Sequence, residues 1–283
     1  MPLTTSKEML LRAQKEGYAV CAFNAENMEM VQAIVSAAVQ LSSPVIIQTT
    51  PSTVEYAGLD CFYAMVKAAA ASAAVPVALH LDHGNSFALA CRAVRAGYSS
   101  VMIDGSKYPF EENVSITAKV VEFAGTVSIP VEGELGCVGG KEDDMVASGS
   151  RYTIPEEAAQ FATRTGVDSL AVGIGTAHGF YAEKPVLDLD RLLKIKELVS
   201  VPLVLHGATG LSDETIIECI QRGICKVNFA TEMRAEYTKA VRKTLELSST
   251  VVDVKVYSKA ARQAVMELAM KKIGISGSTN KSS

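Results

Sequence analysis

Eight short apolar runs of strand length recur along the chain, separated by longer stretches with the three-to-four-residue spacing of helices, and they constrain the fold more than any other feature. They read YAVCAFN, SPVIIQTT, VPVALHLDH, SSVMIDG, IPVEGELG, DSLAVGIG, VPLVLHGA and CKVNFATE. Most are continuously apolar instead of alternating, the pattern of strands covered on both faces. Helix starts lie between them. Thr5 with Glu8 and Thr153 with Glu156 have capping-box spacing, and Ser212 precedes Asp213 and Glu214 as an N-cap with acidic residues in the first turn. Strand and helix thus alternate, which predicts an α/β protein with a parallel sheet. The economical closure is a single (β/α)8 TIM barrel over residues 1–283 with a C-terminal helical extension. An open doubly wound sheet is the rival, but no G-x-G-x-x-G follows the first run.

Nearly every run ends in polar residues: Asn24, Thr49 with Thr50, Asp82 with His83, Asp104, Glu134, His178 a little beyond its strand, His206 and Asn228. A barrel would gather these on one rim, where such folds place their chemistry. Two segments depart from the repeat. Residues 135–153 form a Gly-rich, acidic insertion expected to act as a mobile lid, and residues 274–283 are small and polar, expected to be a flexible tail or an arm onto a neighbour.

The balance of 27 basic against 31 acidic residues gives a net charge of -4, which argues against a nucleic-acid or membrane surface. Any anionic ligand must therefore be held locally. The six cysteines include no C-x-x-C pair and mostly sit in apolar runs, and no signal-peptide pattern opens the sequence, so a reducing, cytoplasmic setting is expected.

Three of the four histidines, His83, His178 and His206, are each followed directly by Gly near the end of an apolar run. Gly makes up only about 7% of residues on average, so chance is a poor explanation. Any one of them alone reads as a hydrogen-bonded rim histidine. Three converging together read as ligands of a transition metal, and three imidazoles leave a fourth position open on Zn2+. Asp82, beside that centre, reads as a proton carrier or as an orienting group. Asp104 and Glu134 read as supporting carboxylates, and His80 as an interior residue.

The turns at His206–Gly210 and Asn228–Thr231 follow the last two strands, where barrels often hold phosphate on backbone N–H groups. Lys226 shares a strand face with Asn228; it could form a Schiff base, but pairing with an inward carboxylate is the better expectation. In the insertion, Glu142, Asp143 and Asp144 form an acidic cluster that a closing loop could deliver to a substrate.

Along essentially its whole length the sequence resembles the class II, zinc-dependent ketose-bisphosphate aldolases, through LHLDHG, SVMIDGS followed by PFEENV, VEGELGCVGGKEDD, GTAHG, PLVLHGATG and KVNFATE. TPST, AVGIGTAHGFY and GICKVNFATE are most similar to the D-tagatose-1,6-bisphosphate branch. The resemblance implies zinc on His83, His178 and His206, with Asp82 as the acid/base at the substrate C4 hydroxyl. It implies Glu142 as the lid carboxylate that moves the proton on the dihydroxyacetone phosphate carbon. Gly179, Gly207, Ala208, Thr209, Asn228, Phe229, Ala230 and Thr231 match the pocket for that product's phosphate, and Asn24 and Thr50 line the cleft. A monovalent cation, Na+ or K+, is expected there too.

Lys281 stands where relatives often carry an Arg that reaches the distal phosphate of an adjacent subunit. Gly84 and Asn85 are closer to the fructose-type relatives. The implied activity is reversible cleavage of a ketose 1,6-bisphosphate, tagatose favoured, to dihydroxyacetone phosphate and D-glyceraldehyde 3-phosphate. A fructose-1,6-bisphosphate aldolase and a non-catalytic sugar-phosphate-binding subunit are the alternatives. A homodimer or homotetramer is expected, with room for an accessory subunit and no nucleic-acid or membrane partner.

Overall fold

The structure is a computed structural model that describes residues 3–142, 145–147, 151–181, 185–247 and 250–282, without the side chains of residues 141–147. In chain order the first half runs α1 (Ser6–Glu16), β1 (Val20–Asn24), α2 (Met28–Gln40), β2 (Val45–Thr49), α3 (Pro51–Ala57), α4 (Leu59–Ala71), β3 (Val77–Gly84), α5 (Phe87–Ala96), β4 (Ser100–Ile103), α6 (Phe110–Gly125) and β5 (Val131–Leu135). There follow β6 (Gly139–Glu142), β7 (Met145–Ala147), α7 (Pro155–Thr165), β8 (Ser169–Val172), β9 (Ala177–His178), α8 (Leu189–Leu198), β10 (Leu203–Leu205), α9 (Asp213–Gln221), β11 (Ile224–Phe229), α10 (Thr231–Leu247) and α11 (Val254–Ile275).

Eight parallel strands close into a barrel in the order β1-β11-β10-β8-β5-β4-β3-β2. These are the eight runs read from the sequence, and each pairs with the next barrel strand along the chain. The (β/α)8 barrel is therefore the fold, with α11 as the C-terminal extension, packed on α10 and α2. The remaining strands, β7, β6 and β9, form a separate three-stranded sheet within the excursions after β5 and β8.

Inward-facing side chains change character along the barrel axis. At the N-terminal end Val20, Ala22, Ile46, Ala78 and Cys225 form an apolar layer, closed from below by Met9, Leu10 and Ala13 of α1 together with Tyr18. Further along the strands come Asn24, Gln48, His80, Glu132, Lys226 and Asn228, with Asp82 and Glu134 nearer the C-terminal ends of β3 and β5, all buried. The core thus supports a polar layer under the C-terminal rim.

Two helix starts differ from the sequence reading. Thr5 occupies the N-cap of α1 but its side chain makes no cap hydrogen bond. Thr153 does not cap α7, which opens at Pro155 after Ile154. Its hydroxyl instead donates to the Leu135 carbonyl and accepts from Gly173 N at 2.8 Å, pinning the far end of the insertion to the barrel. Ser212 does cap α9, accepting from Thr215 N.

The tail, expected to be flexible, is tied to its own chain by Asn280 N to Leu41 O at 2.9 Å and Ser282 N to Ser42 O at 2.9 Å. Lys281 pairs with Glu16 at 2.8 Å, below the N-terminal end of the barrel and on the far side from the rim. Lys281 first, then Arg12, hold the Glu16 carboxyl down at about 2.

Candidate active site

The end of β3 breaks its register with β4 between Leu81 and Gly84, and His83 adopts φ 47°, a left-handed conformation that a non-glycine residue seldom takes. That kink turns the ring over the barrel mouth. His206 follows β10 directly, and His178 arrives from the side on β9. Ring centroids lie 4.6 Å apart for His83 and His206, 5.0 Å for His83 and His178, and 6.1 Å for His178 and His206. One nitrogen from each ring lies within 4.8 Å of the others.

Outer-ring partners fix which nitrogens face inward. His83 Nδ1 lies 3.0 Å from Asp104 Oδ2, and His206 Nε2 lies 2.9 Å from Glu132 Oε1. Carboxylates accept, so these nitrogens carry the protons. Inward-facing lone pairs on His83 Nε2 and His206 Nδ1 are then left 2.9 Å apart, an unfavourable approach without a cation between them. Tetrahedral Zn–N bonds of about 2.0–2.1 Å would set the nitrogens roughly 3.3 Å apart, a few tenths of an ångström more than the 2.9 Å between His83 Nε2 and His206 Nδ1. The donor set therefore fits a divalent ion of zinc type.

Burial would raise the Asp104 carboxyl, yet the His83 contact outweighs it and leaves Asp104 below the usual carboxylate range. Burial lowers His206, keeping it neutral as a ligand must be. Glu134 is pushed well above the carboxylate range by burial and by the Asp104 charge. Among the described residues its Oε2 has no hydrogen-bond partner, and it lies 3.9 Å from both His83 Nδ1 and His206 Nδ1.

Asp82 is fully buried and accepts from three amides: Asn24 Nδ2 at 2.9 Å, Gln48 Nε2 at 3.1 Å and Asn228 Nδ2 at 3.2 Å. Its carboxylate lies next in the chain to His83. Lys226 donates to Glu132 Oε2 at 2.8 Å, the inward carboxylate partner expected for it. Burial would raise Glu132, but Lys226 and His206 bring it below the carboxylate range. Glu132 and Gln48 were not singled out from the sequence. Strand alternation offered the signal, since Glu132 shares a face with Glu134 and Gln48 with Thr50.

The residues expected from the sequence to hold a phosphate lie in the turns beside the histidines. Gly207 has φ 68°, and a Cβ there would lie 2.6 Å from the Ala177 carbonyl oxygen, so the two turns touch backbone to backbone. Gly179 is also left-handed, at φ 86°. Ala208, Thr209 and Ala230 are buried, and Thr231 opens α10. Phe229 turns its ring away, stacking on Phe23 at 5.5 Å, so only its backbone faces the rim. Thr50 caps α3, and its neighbour Thr53 donates to Glu26 at 2.7 Å.

The insertion forms a β6–β7 hairpin whose β6 pairs in parallel with β9, Gly140 opposite His178. The Glu142 side chain and residues Asp143 and Asp144 lie outside the described residues.

A family model described as fructose-bisphosphate aldolase class-II matches residues 4–281. The chain belongs to the class II fructose-bisphosphate aldolase family. It is thus an enzyme, a carbon–carbon lyase of a family that cleaves ketose bisphosphates and is generally zinc-dependent. Among solved structures, this aldolase is similar to the YdjI aldolase from Escherichia coli K12, with 37% identity, 99% of this chain and 100% of that one covered, and a TM-score of 0.90. It is also similar to a putative fructose-1,6-biphosphate aldolase from Coccidioides immitis, at 31% identity, 97% and 96% coverage and TM-score 0.90. The fructose-bisphosphate aldolase of Campylobacter jejuni shares the fold at 21% identity, 99% and 97% coverage and TM-score 0.84. No helix among the described residues is long and apolar enough to cross a membrane.

Proposed function

We propose that this aldolase catalyses zinc-dependent, reversible cleavage of a ketose 1,6-bisphosphate to dihydroxyacetone phosphate and D-glyceraldehyde 3-phosphate, with D-tagatose 1,6-bisphosphate favoured. One observation carries the reading: a buried carboxylate, Asp82, held by three amide donors beside three imidazoles that each offer a nitrogen within 4.8 Å of the other two.

Zn2+ held by His83, His178 and His206 would supply positive charge to the C2 oxygen as the C3–C4 bond breaks. Asp82 accepts the C4 hydroxyl proton during cleavage and returns it during condensation. Asn24, Gln48 and Asn228 use their N–H groups to fix the direction in which its oxygens point. Asp104 and Glu132 hold His83 and His206 in the tautomers that leave Nε2 and Nδ1 facing inward. Glu142 moves the proton on the C3 carbon. Backbone groups at Gly179, Gly207–Thr209 and Asn228–Thr231 hold the proximal phosphate, with Na+ or K+ beside it, and Asn24 and Thr50 line the cleft. A homodimer or homotetramer is the proposed assembly.

Tagatose preference rests on the segments TPST, AVGIGTAHGFY and GICKVNFATE. Initial rates on both bisphosphates, before and after chelation and zinc restoration, test the proposal. A higher kcat/KM for tagatose 1,6-bisphosphate and restoration by Zn2+ are expected. Faster cleavage of the fructose isomer reverses the C4 assignment, and activity surviving verified metal removal defeats the zinc role.

A further inference from the structure

Of the three histidines, His178 alone lies in the small sheet, while His83 is on barrel strand β3 and His206 directly follows barrel strand β10. His178 sits on the two-residue strand β9, at the edge of the small sheet ordered β7-β6-β9, between Gly175 at φ 105° and Gly179 at φ 86°. Such a segment can bend readily at both ends. Its spacing from His206 is also the widest of the three ring pairs, 6.1 Å between centroids. Something must hold the free edge of β9 against the turn after β10.

Tyr181 does so directly. Ala177 N donates to the Tyr181 hydroxyl at 2.8 Å, and that hydroxyl donates to the Gly207 carbonyl at 2.6 Å. Ala177 precedes His178, and Gly207 follows His206. One oxygen thus bridges the backbones flanking two of the three candidate ligands. The ring packs on the same turn, where a Cβ at Gly210 would lie 3.3 Å from Tyr181 Cδ2. Gly207 permits the close approach, since a Cβ there would strike the Ala177 carbonyl at 2.6 Å.

We infer that Tyr181 is a positioning residue, whose hydroxyl locks the His178 segment to the His206–Gly207 turn and thereby sets the affinity and geometry of the three-histidine metal site. The inference rests on the metal-site reading above. Tyr181→Phe keeps the ring on Gly210 and removes only the bridge. Loss of such an outer contact weakens metal binding by about 10–100-fold.

Zinc affinity measured by chelator competition should fall within that range in Y181F, and the visible absorption bands of the Co2+-substituted protein should shift, while the metal-free melting temperature stays near that of the wild type. Wild-type affinity together with an unshifted Co2+ spectrum overturns the inference. So does weaker binding with an unshifted spectrum and a lowered metal-free melting temperature, which would mark a general loosening. A wild-type protein that binds neither Zn2+ nor Co2+ defeats the metal reading itself, a result distinct from equal binding by both proteins.

Discussion

Asp82 sits where a carboxylate is costly to bury, and the three amides around it explain how it is tolerated. They satisfy both oxygens, Oδ2 from Asn24 and Gln48 and Oδ1 from Asn228, without supplying a formal charge. A carboxylate so held keeps its direction. Asp82→Ala should lower kcat by about 10²–10⁴-fold, the usual contribution of a positioned acid or base, while zinc content stays at the wild-type level. Metal analysis alongside the kinetics checks this; zinc loss in that variant would reassign Asp82 to orienting His83. Lys226, by contrast, is engaged with Glu132 beneath the rim, so its charge serves a buried carboxylate and leaves the lysine no evident part in covalent chemistry.

At the scale of elements, α1 is a plug. Leu10 is 2% exposed and closes the apolar layer made by Val20, Ala22, Ile46 and Ala78. Leu10→Ala should destabilise the protein by about 2–5 kcal/mol in equilibrium denaturation, with kcat unchanged because the polar layer lies above the cavity created. A cost below the resolution of the measurement would mean that α1 does not seal the barrel.

The elements also show where sequence was legible. Continuous apolar runs mark buried parallel strands, so all eight barrel strands could be read from it. The α7 start could not, because Thr153 has the spacing of a cap but is drawn to Leu135 and Gly173, partners distant in sequence. The small polar residues of the tail gave no sign of the backbone partners that Leu41 and Ser42 supply to Asn280 and Ser282. The two-residue β9 was too short to show any period, yet His178 was found through its chemistry and the glycine that follows it.

Across the whole molecule, the polar layer inside the barrel ties stability to pH. His80 lies fully inside, faced by Ser100 at 2.7 Å, by Glu132 at 3.9 Å and by the charge of Lys226. Burial first, then Lys226, lowers its pKa well below the ordinary histidine value, against an opposing pull from Glu132. The folded protein therefore holds His80 neutral, while the unfolded chain takes up a proton below about pH 6.5. Its contribution is complete above that pH and is lost as pH falls toward the lowered folded value. Replacing His80 with Gln should flatten the acid limb of the metal-free stability curve by up to about 1.4 kcal/mol per pH unit, measured by urea denaturation between pH 5 and 7. An identical slope in both proteins would show that His80 is protonated in the fold.

The site was legible where chemistry sits at strand ends and obscure where it sits one layer down. Asp82 and the three histidines stood out as ionisable residues closing apolar runs. Glu132 and Gln48 lie inside their runs, one alternation step below Glu134 and Thr50, and only that two-residue spacing marked them as inward-facing. The proposed function rests on a single divalent ion shared by His83, His178 and His206. Anomalous diffraction at the zinc absorption edge from crystals grown with Zn2+ tests this most directly. One peak within bonding distance of all three imidazoles is predicted; a map with no peak there, or with zinc held by other side chains, would contradict it.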